Sequence, residues 1–146
     1  MISSAGIIII GDEILSGRTK DTNINWIANE LNQMGINLKE ARVIEDDKKT
    51  IINTVLEFSK KFTYVFTSGG IGPTHDDITT ESIAAAFKVD LEKNKIAMNL
   101  LKKHYEKSNI DFNQARQKMA IIPKGALLID NPVSVAPGFN IKNVYV

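Results

Sequence analysis

Residues 68 to 77 read Ser68-Gly69-Gly70-Ile71-Gly72-Pro73-Thr74-His75-Asp76-Asp77, a glycine-rich stretch between a β-prone run and a helix start. Glycines at this spacing let the backbone take positive φ and approach a ligand closely, so main-chain N–H groups can point at phosphate oxygens. Ser68, Thr74 and Thr79 place hydroxyls in or beside the same turn. A helix opening near Thr79 adds free N–H groups and the positive end of its dipole. The candidate phosphate-binding residues are accordingly Ser68, Gly69, Gly70, Gly72, Thr74 and Thr79. Spacing excludes two familiar phosphate loops: there is no Gly-x-x-x-x-Gly-Lys-Ser/Thr, and His75 stands where a dinucleotide fingerprint needs its third glycine. Glycine-rich strand-to-helix turns also serve tight packing alone, and the pattern by itself leaves both readings open.

Acidic residues recur at matching places. Asp12 and Glu13 follow the first expected strand, Asp46 the second, and Asp76 with Asp77 the third, so all project from one edge of a parallel sheet. Carboxylates gathered beside a phosphate site repel the ligand unless a hard cation bridges them, which points to Mg²⁺ or another divalent ion. Asp12, Glu13, Asp46, Asp76 and Asp77 are the candidate metal ligands. Taken singly, Asp12, Asp46 and Asp77 also read as caps of helices or turns. Ser68 has no evident His and acid partner, so no nucleophilic triad is expected. Trp26, Tyr64 and Tyr105 fall at positions that packing explains better than base stacking.

These residues need a scaffold, and the hydrophobic pattern predicts one. Ala5 to Ile10 is continuously apolar and rich in β-branched residues, as in a strand buried on both faces. Asp21 or Thr22 caps a helix whose Ile24, Ile27, Leu31 and Met34 form one stripe, ending at Gly35. Ile36 to Ile44 reads as a strand nearer an edge. Asp46 or Asp47 opens a helix carrying Ile51, Ile52, Val55, Leu56 and Phe58, and Tyr64 to Thr67 is a third strand. Thr79 is the expected N-cap of a helix through Phe87. Further helices are predicted over Asn94 to Ser108, with Ile96, Leu100 and Leu101, and over Asn113 to Met119. Short strands follow at Ala126 to Ile129, Val133 to Ala136 and Val144 to Val146. Strand–helix alternation with short connections implies right-handed crossovers. The expected fold is a three-layer α/β/α sandwich with a mostly parallel central sheet.

The bulk properties agree. A chain of 146 residues is one ordinary domain, and its net charge of +1 gives no support to nucleic-acid binding. Nine Lys or Arg against four Asp or Glu between Lys88 and Lys124 read as solvated helix surfaces. Cysteine is absent, which excludes disulfides and thiolate chemistry and fits a cytoplasmic setting. No apolar run is long enough for membrane insertion. Val144-Tyr145-Val146 is an apolar strand with nothing after it, so the expectation is a single domain cut short at its C-terminal end.

Ser68 through Thr79 closely resembles the signature loop of the molybdopterin-binding domain family that includes MoaB, MogA and the N-terminal domain of CinA. Three further segments resemble the CinA-like branch: Gly11-Asp12-Glu13-Ile14-Leu15-Ser16-Gly17 with Asp21-Thr22-Asn23, then Glu45-Asp46-Asp47, then Asn131-Pro132 with Ala136-Pro137-Gly138-Phe139. Asp76 is acidic, as in that branch, where MogA-like members tend to carry a basic residue. Ser134-Val135 stands where Gly-Thr often precedes Ala-Pro-Gly-Phe, and the sequence stops short of the Pro-Gly-x-Pro turn with which family members usually continue past the last strand.

The resemblance implies a loop that binds the phosphate of molybdopterin or of an adenine nucleotide, with Asn23, Pro137 and Gly138 as further ligand-binding positions. It places Asp77 on the aspartate of the family's loop pattern and Asp46 on its acidic position after the second strand, the two residues expected to do catalytic or metal work. CinA-like members are associated with metal-dependent hydrolysis of the pyrophosphate of ADP-ribose or FAD, MogA-like members with Mg²⁺-dependent adenylyl transfer to molybdopterin. A non-catalytic ligand-binding module is the third expectation. The resemblance also implies a homo-oligomer, dimer or trimer.

Overall fold

The structure, a computed structural model, describes residues 2–132 and 136–146. The apolar run forms β1 (Ser4–Ile10), buried from Ala5 onward. A short helix α1 (Asp12–Leu15) and helix α2 (Asn23–Gln33) lead to β2 (Asn37–Ile44). Helix α3 (Lys48–Lys61) starts at Asp47, whose carboxylate accepts the Thr50 N–H, and delivers the chain to β3 (Tyr64–Ser68). Helix α4 (Thr79–Ala86) follows the glycine loop.

A smaller lobe then contains β4 (Leu91–Lys93), α5 (Lys95–Lys107), α6 (Gln114–Gln117), a 3₁₀ turn at Lys118–Ala120 and β5 (Ile121–Pro123). Strands β6 (Leu127–Ile129), β7 (Gly138–Ile141) and β8 (Val144–Tyr145) complete the chain. Among the described residues no helix is long and apolar enough to cross a membrane.

The main sheet runs β2-β1-β3-β8-β7-β6, and β4 pairs with β5 in a separate antiparallel ribbon. Strands β2, β1, β3 and β8 are parallel, while β7 is antiparallel to β8 and β6 to β7. The period-two alternation of β1 sends Ile8 and Ile10 into a core with Ile51, Val55 and Phe58 of α3 and Ile83 of α4. Ile7 faces the other way, toward Trp26 and Ile27 of α2. Helices therefore cover both faces, and the mostly parallel three-layer architecture holds.

Several local expectations are corrected. Met34 is 69% exposed, because α2 ends at Gln33 and Met34 lies beyond its packed stripe. Trp26 is 62% exposed and does not pack into a core. On α5 the buried pair is Ala97 and Leu101, packed with Ala120. Ile96 and Leu100 sit one residue earlier, about 100° around the helix, and stay exposed. Thr79 is the first helical residue rather than the cap, a position that falls to Ile78. Gly138 opens β7, and of the strand expected at Val133 to Ala136, residues 133–135 lie outside the described residues.

Candidate functional site

Parallel pairing brings the carboxyl ends of β1, β2 and β3 side by side: Ile10 is in register with Ile44, and Ile9 with Ser68. The three acidic turns thus share one rim, where ligands collect in open α/β sheets. Two of them are stitched together. The Asp46 N–H donates to Asp12 Oδ1 and the Asp12 N–H to Asp46 Oδ2, both at 3.0 Å. In the third turn Asp77 Oδ2 accepts from the Thr74 N–H at 3.0 Å and from its hydroxyl at 2.8 Å. Each of these carboxylates commits one oxygen, Asp12 and Asp46 to each other's turn and Asp77 to its own, and keeps a second oxygen.

The expected acids do converge. Asp12, Glu13, Asp46, Asp76 and Asp77 line one cavity of about 390 Å³, together with Arg18. Their roles within it differ. The Glu13 carboxylate folds back over Gly11, whose missing side chain makes the room: a Cβ there would lie 2.6 Å from Glu13 Oε1. Asp76 stands exposed at the rim, 3.3 Å from a still more exposed His75. Among the described residues, no group of three or more His, Asp or Glu has the spacing to hold a metal ion with the side chains as they stand.

Burial, the largest cause, pushes the Asp46 carboxyl above its ordinary value of 3.8. The hydrogen bond from Asp12 partly offsets that rise, and the charges of Asp12, Glu13 and Asp77 add to it. A carboxyl raised by folding binds its proton more readily in the native state, so its contribution to stability is present at low pH and declines as pH climbs through the raised value. Asp46→Asn keeps an oxygen for the Asp12 N–H and removes the charge. It is expected to flatten this decline and to leave the domain more stable than wild type at neutral pH. Urea unfolding of both proteins across the acidic range checks it; parallel pH profiles would contradict it.

The glycine loop has two sides. Gly69 and Gly70 adopt φ of +100° and +74°, whereas Gly72 does not take positive φ, so two of the three glycines use the left-handed region. A Cβ on Gly69 would collide with the Ile10 carbonyl oxygen and one on Gly70 with the Thr79 hydroxyl. On Gly72 it would meet Asp77 Oδ2 at 2.7 Å. Thr79 is fully buried; its hydroxyl donates to the Gly69 carbonyl at 2.9 Å and its N–H to the Gly70 carbonyl at 3.0 Å. The candidate phosphate contact from Thr79 is thus corrected: the turn folds its carbonyls back onto α4, and Thr79 holds them there. With those carbonyls turned inward, the N–H groups of Gly70, Ile71 and Gly72 meet no acceptor among the described residues.

Other expected residues are distributed around this loop. Asn23 Nδ2 donates to Ser68 Oγ at 2.6 Å, and both line a cavity of about 290 Å³ with Gly69. Pro137 borders another, of about 190 Å³, with Gly70, Ile71, Gly72, Lys118 and Phe139. Gly138 is corrected. It is buried within β7, and a Cβ there would strike the Val146 carbonyl oxygen, so its smallness serves strand packing rather than a ligand.

Sequence reasoning missed Arg18 and Lys118. Arg18 lay in a polar stretch with no periodicity, and Lys118 in a basic segment read as solvated surface. Lys118 reaches the loop from 41 residues away and donates to the Thr74 and Asp77 carbonyls, each at 2.6 Å.

Residues 6–145 match the family described as "Probable molybdopterin binding domain". A protein from Sulfurisphaera tokodaii is 41% identical over 135 residues, covering 92% of this chain and 51% of that protein. The crystal structure of CinA from Thermoplasma acidophilum, a protein of unknown function, superimposes with a TM-score of 0.89 at 36% identity, covering 99% of this chain and 86% of that one. The molybdopterin biosynthesis enzyme MoaB of Thermus thermophilus shares the fold, with a TM-score of 0.61 at 14% identity over 99% of this chain and 79% of that one. The chain spans about half the length of the curated relatives it matches.

Proposed function

The chain belongs to the molybdopterin-binding domain family, and from that premise we propose that it binds the phosphates of a nucleotide or pterin on its glycine loop and, in its CinA-like form, hydrolyses a nucleotide pyrophosphate such as that of ADP-ribose or FAD. The single observation that carries the reading is the set of N–H groups from Gly70 to Gly72 without an acceptor, beside a cavity lined by carboxylates from three separate turns. Donors fixed before the ligand arrives stabilise phosphate charge without reorganising, and N–H groups at the mouth of α4 add to that field.

Asp46 is the residue suited to take a proton. Its raised carboxyl sits closer to neutrality than an ordinary aspartate, so it receives the proton of a water attacking phosphorus as the P–O–P bridge breaks and two monophosphates form. Asp77 holds the loop through Oδ2, keeps its other oxygen and lines the cavity. An all-carboxylate donor set suits a hard divalent ion such as Mg²⁺; as the side chains stand they form no three-carboxylate group, so the free oxygens of Asp12 and Asp77 would hold it together with the substrate's phosphates, leaving Asp46 for the proton. When bound, such an ion offsets charge on the leaving phosphate.

Incubation with ADP-ribose or FAD and Mg²⁺, Mn²⁺ or Co²⁺ is expected to yield mononucleotides, read by chromatography. Adenylylated pterin formed from ATP and molybdopterin, without hydrolysis of either dinucleotide, would replace this reading with adenylyl transfer. Tight binding with unaltered ligand and no metal dependence would replace it with a non-catalytic module.

A further inference from the structure

Lys118 lies in the 3₁₀ turn of the smaller lobe, yet the residue is half-buried and its ammonium reaches the glycine loop. It donates to two carbonyls of one tight turn, Thr74 and Asp77, at 2.6 Å each. That turn is already closed from within: the Asp77 N–H donates to the Thr74 carbonyl at 3.2 Å, and Asp77 Oδ2 accepts twice from Thr74. Lys118 is therefore not needed to close it. What the ammonium adds is direction.

Every described peptide bond is trans. In a trans peptide the C=O of one residue and the N–H of the next point to opposite sides. Carbonyls of Thr74 and Asp77 turned toward Lys118 therefore turn the N–H groups of His75 and Ile78 away from it. His75 and Ile78 both line the acidic cavity, and neither N–H meets an acceptor among the described residues. An ammonium on the carbonyl end of a peptide also polarises it, strengthening its N–H as a donor.

We propose that Lys118 is a positioning residue for the anion site: from behind the loop, it aims and polarises the His75 and Ile78 N–H groups into the acidic cavity, where they receive a phosphate oxygen alongside the Gly70 N–H, while Ile71 and Gly72 border the cavity on the Lys118 side. In this arrangement Lys118 acts on that oxygen through the two carbonyls it holds, from the far side of the turn. The inference rests on the reading of the loop as a phosphate site and extends its donor set to the opposite side of Thr74.

The test compares wild type, Lys118→Met and Lys118→Arg by ¹⁵N NMR and by titration with inorganic pyrophosphate. Lys118→Met is expected to move the amide signals of His75 and Ile78 and to weaken pyrophosphate binding by about tenfold, the loss of a charge-assisted hydrogen bond. Lys118→Arg, which can still bridge two carbonyls, restores both readouts. Amide signals at 75 and 78 that stay in place in Lys118→Met overturn the proposal, as does pyrophosphate affinity equal to wild type. If wild type binds no pyrophosphate, the phosphate reading fails, while the amide comparison alone still decides the aiming role. Should Lys118→Met not fold, the side-chain ammonium signal of Lys118 in wild type decides: slow proton exchange supports the two hydrogen bonds, and exchange as fast as that of surface lysines overturns them.

Discussion

Gly69→Ala is expected to destabilise the domain by about 2–5 kcal/mol and to abolish phosphate binding. Two causes add. At φ +100° an L-residue is strained, by about 1–2 kcal/mol. The new Cβ also collides with the Ile10 carbonyl oxygen, which belongs to the most buried strand and has no rotamer by which to yield, a contact costing about 1–3 kcal/mol. Any relief moves the loop off β1 and so disperses the N–H groups from Gly70 to Gly72. Gly17→Ala is the control: Gly17 has φ +80° but nothing within 4 Å of its Cβ position, so it is expected to lose only the strain energy and to leave binding intact. Urea midpoints of the two variants measure the first half of this claim and pyrophosphate titration the second. Equal losses in both would show that strain alone governs the loop.

The second large effect is on chemistry rather than stability. Asp77→Asn is expected to lower turnover of a nucleotide pyrophosphate by at least about 100-fold while the unfolding midpoint stays near wild type. The amide keeps one oxygen to accept from the Thr74 N–H and hydroxyl, so the turn survives, and only the negative charge on the cavity side is lost. Asp77→Ala removes the acceptor as well, leaving two donors without their partner, and should cost a further 1–2 kcal/mol or so of stability. Full activity in Asp77→Asn together with a loss of stability in both variants would make Asp77 a structural cap and nothing more.

The contrast between those two predictions follows what was legible in the sequence. Ala5 to Ile10 and Tyr64 to Thr67 could be read as strands because each is a contiguous, β-branched, apolar run whose burial on both faces leaves one explanation. Once those strands are parallel, their carboxyl ends must align. The shared rim of Asp12, Asp46 and Asp77 followed from topology, before any side chain was placed. Asp47 was readable as a cap because its partner, Thr50, lies three residues away.

Partners distant in sequence were not readable. Leu91–Lys93 and Ile121–Pro123 pair across a whole helical lobe, and three residues carry too little alternation to announce a strand. Thr79 has the residue type and position of a cap, but the left-handed turn at Gly69 and Gly70 redirects its hydroxyl to a carbonyl ten residues back. Gly138 beside a proline looks like a turn, and only the approach of Val146 explains why it is a strand glycine. Lys118 was hidden for the same reason, since a surface-like basic stretch says nothing of the two carbonyls it meets far upstream.

The measurement that bears most directly on the account is a crystal structure with ADP-ribose bound. A phosphate group is expected within hydrogen-bonding distance of the Gly70 to Gly72 N–H groups, its far side facing the cavity lined by Asp12, Asp46 and Asp77. A pyrophosphate seated elsewhere on the domain, with those N–H groups meeting only water, would contradict it.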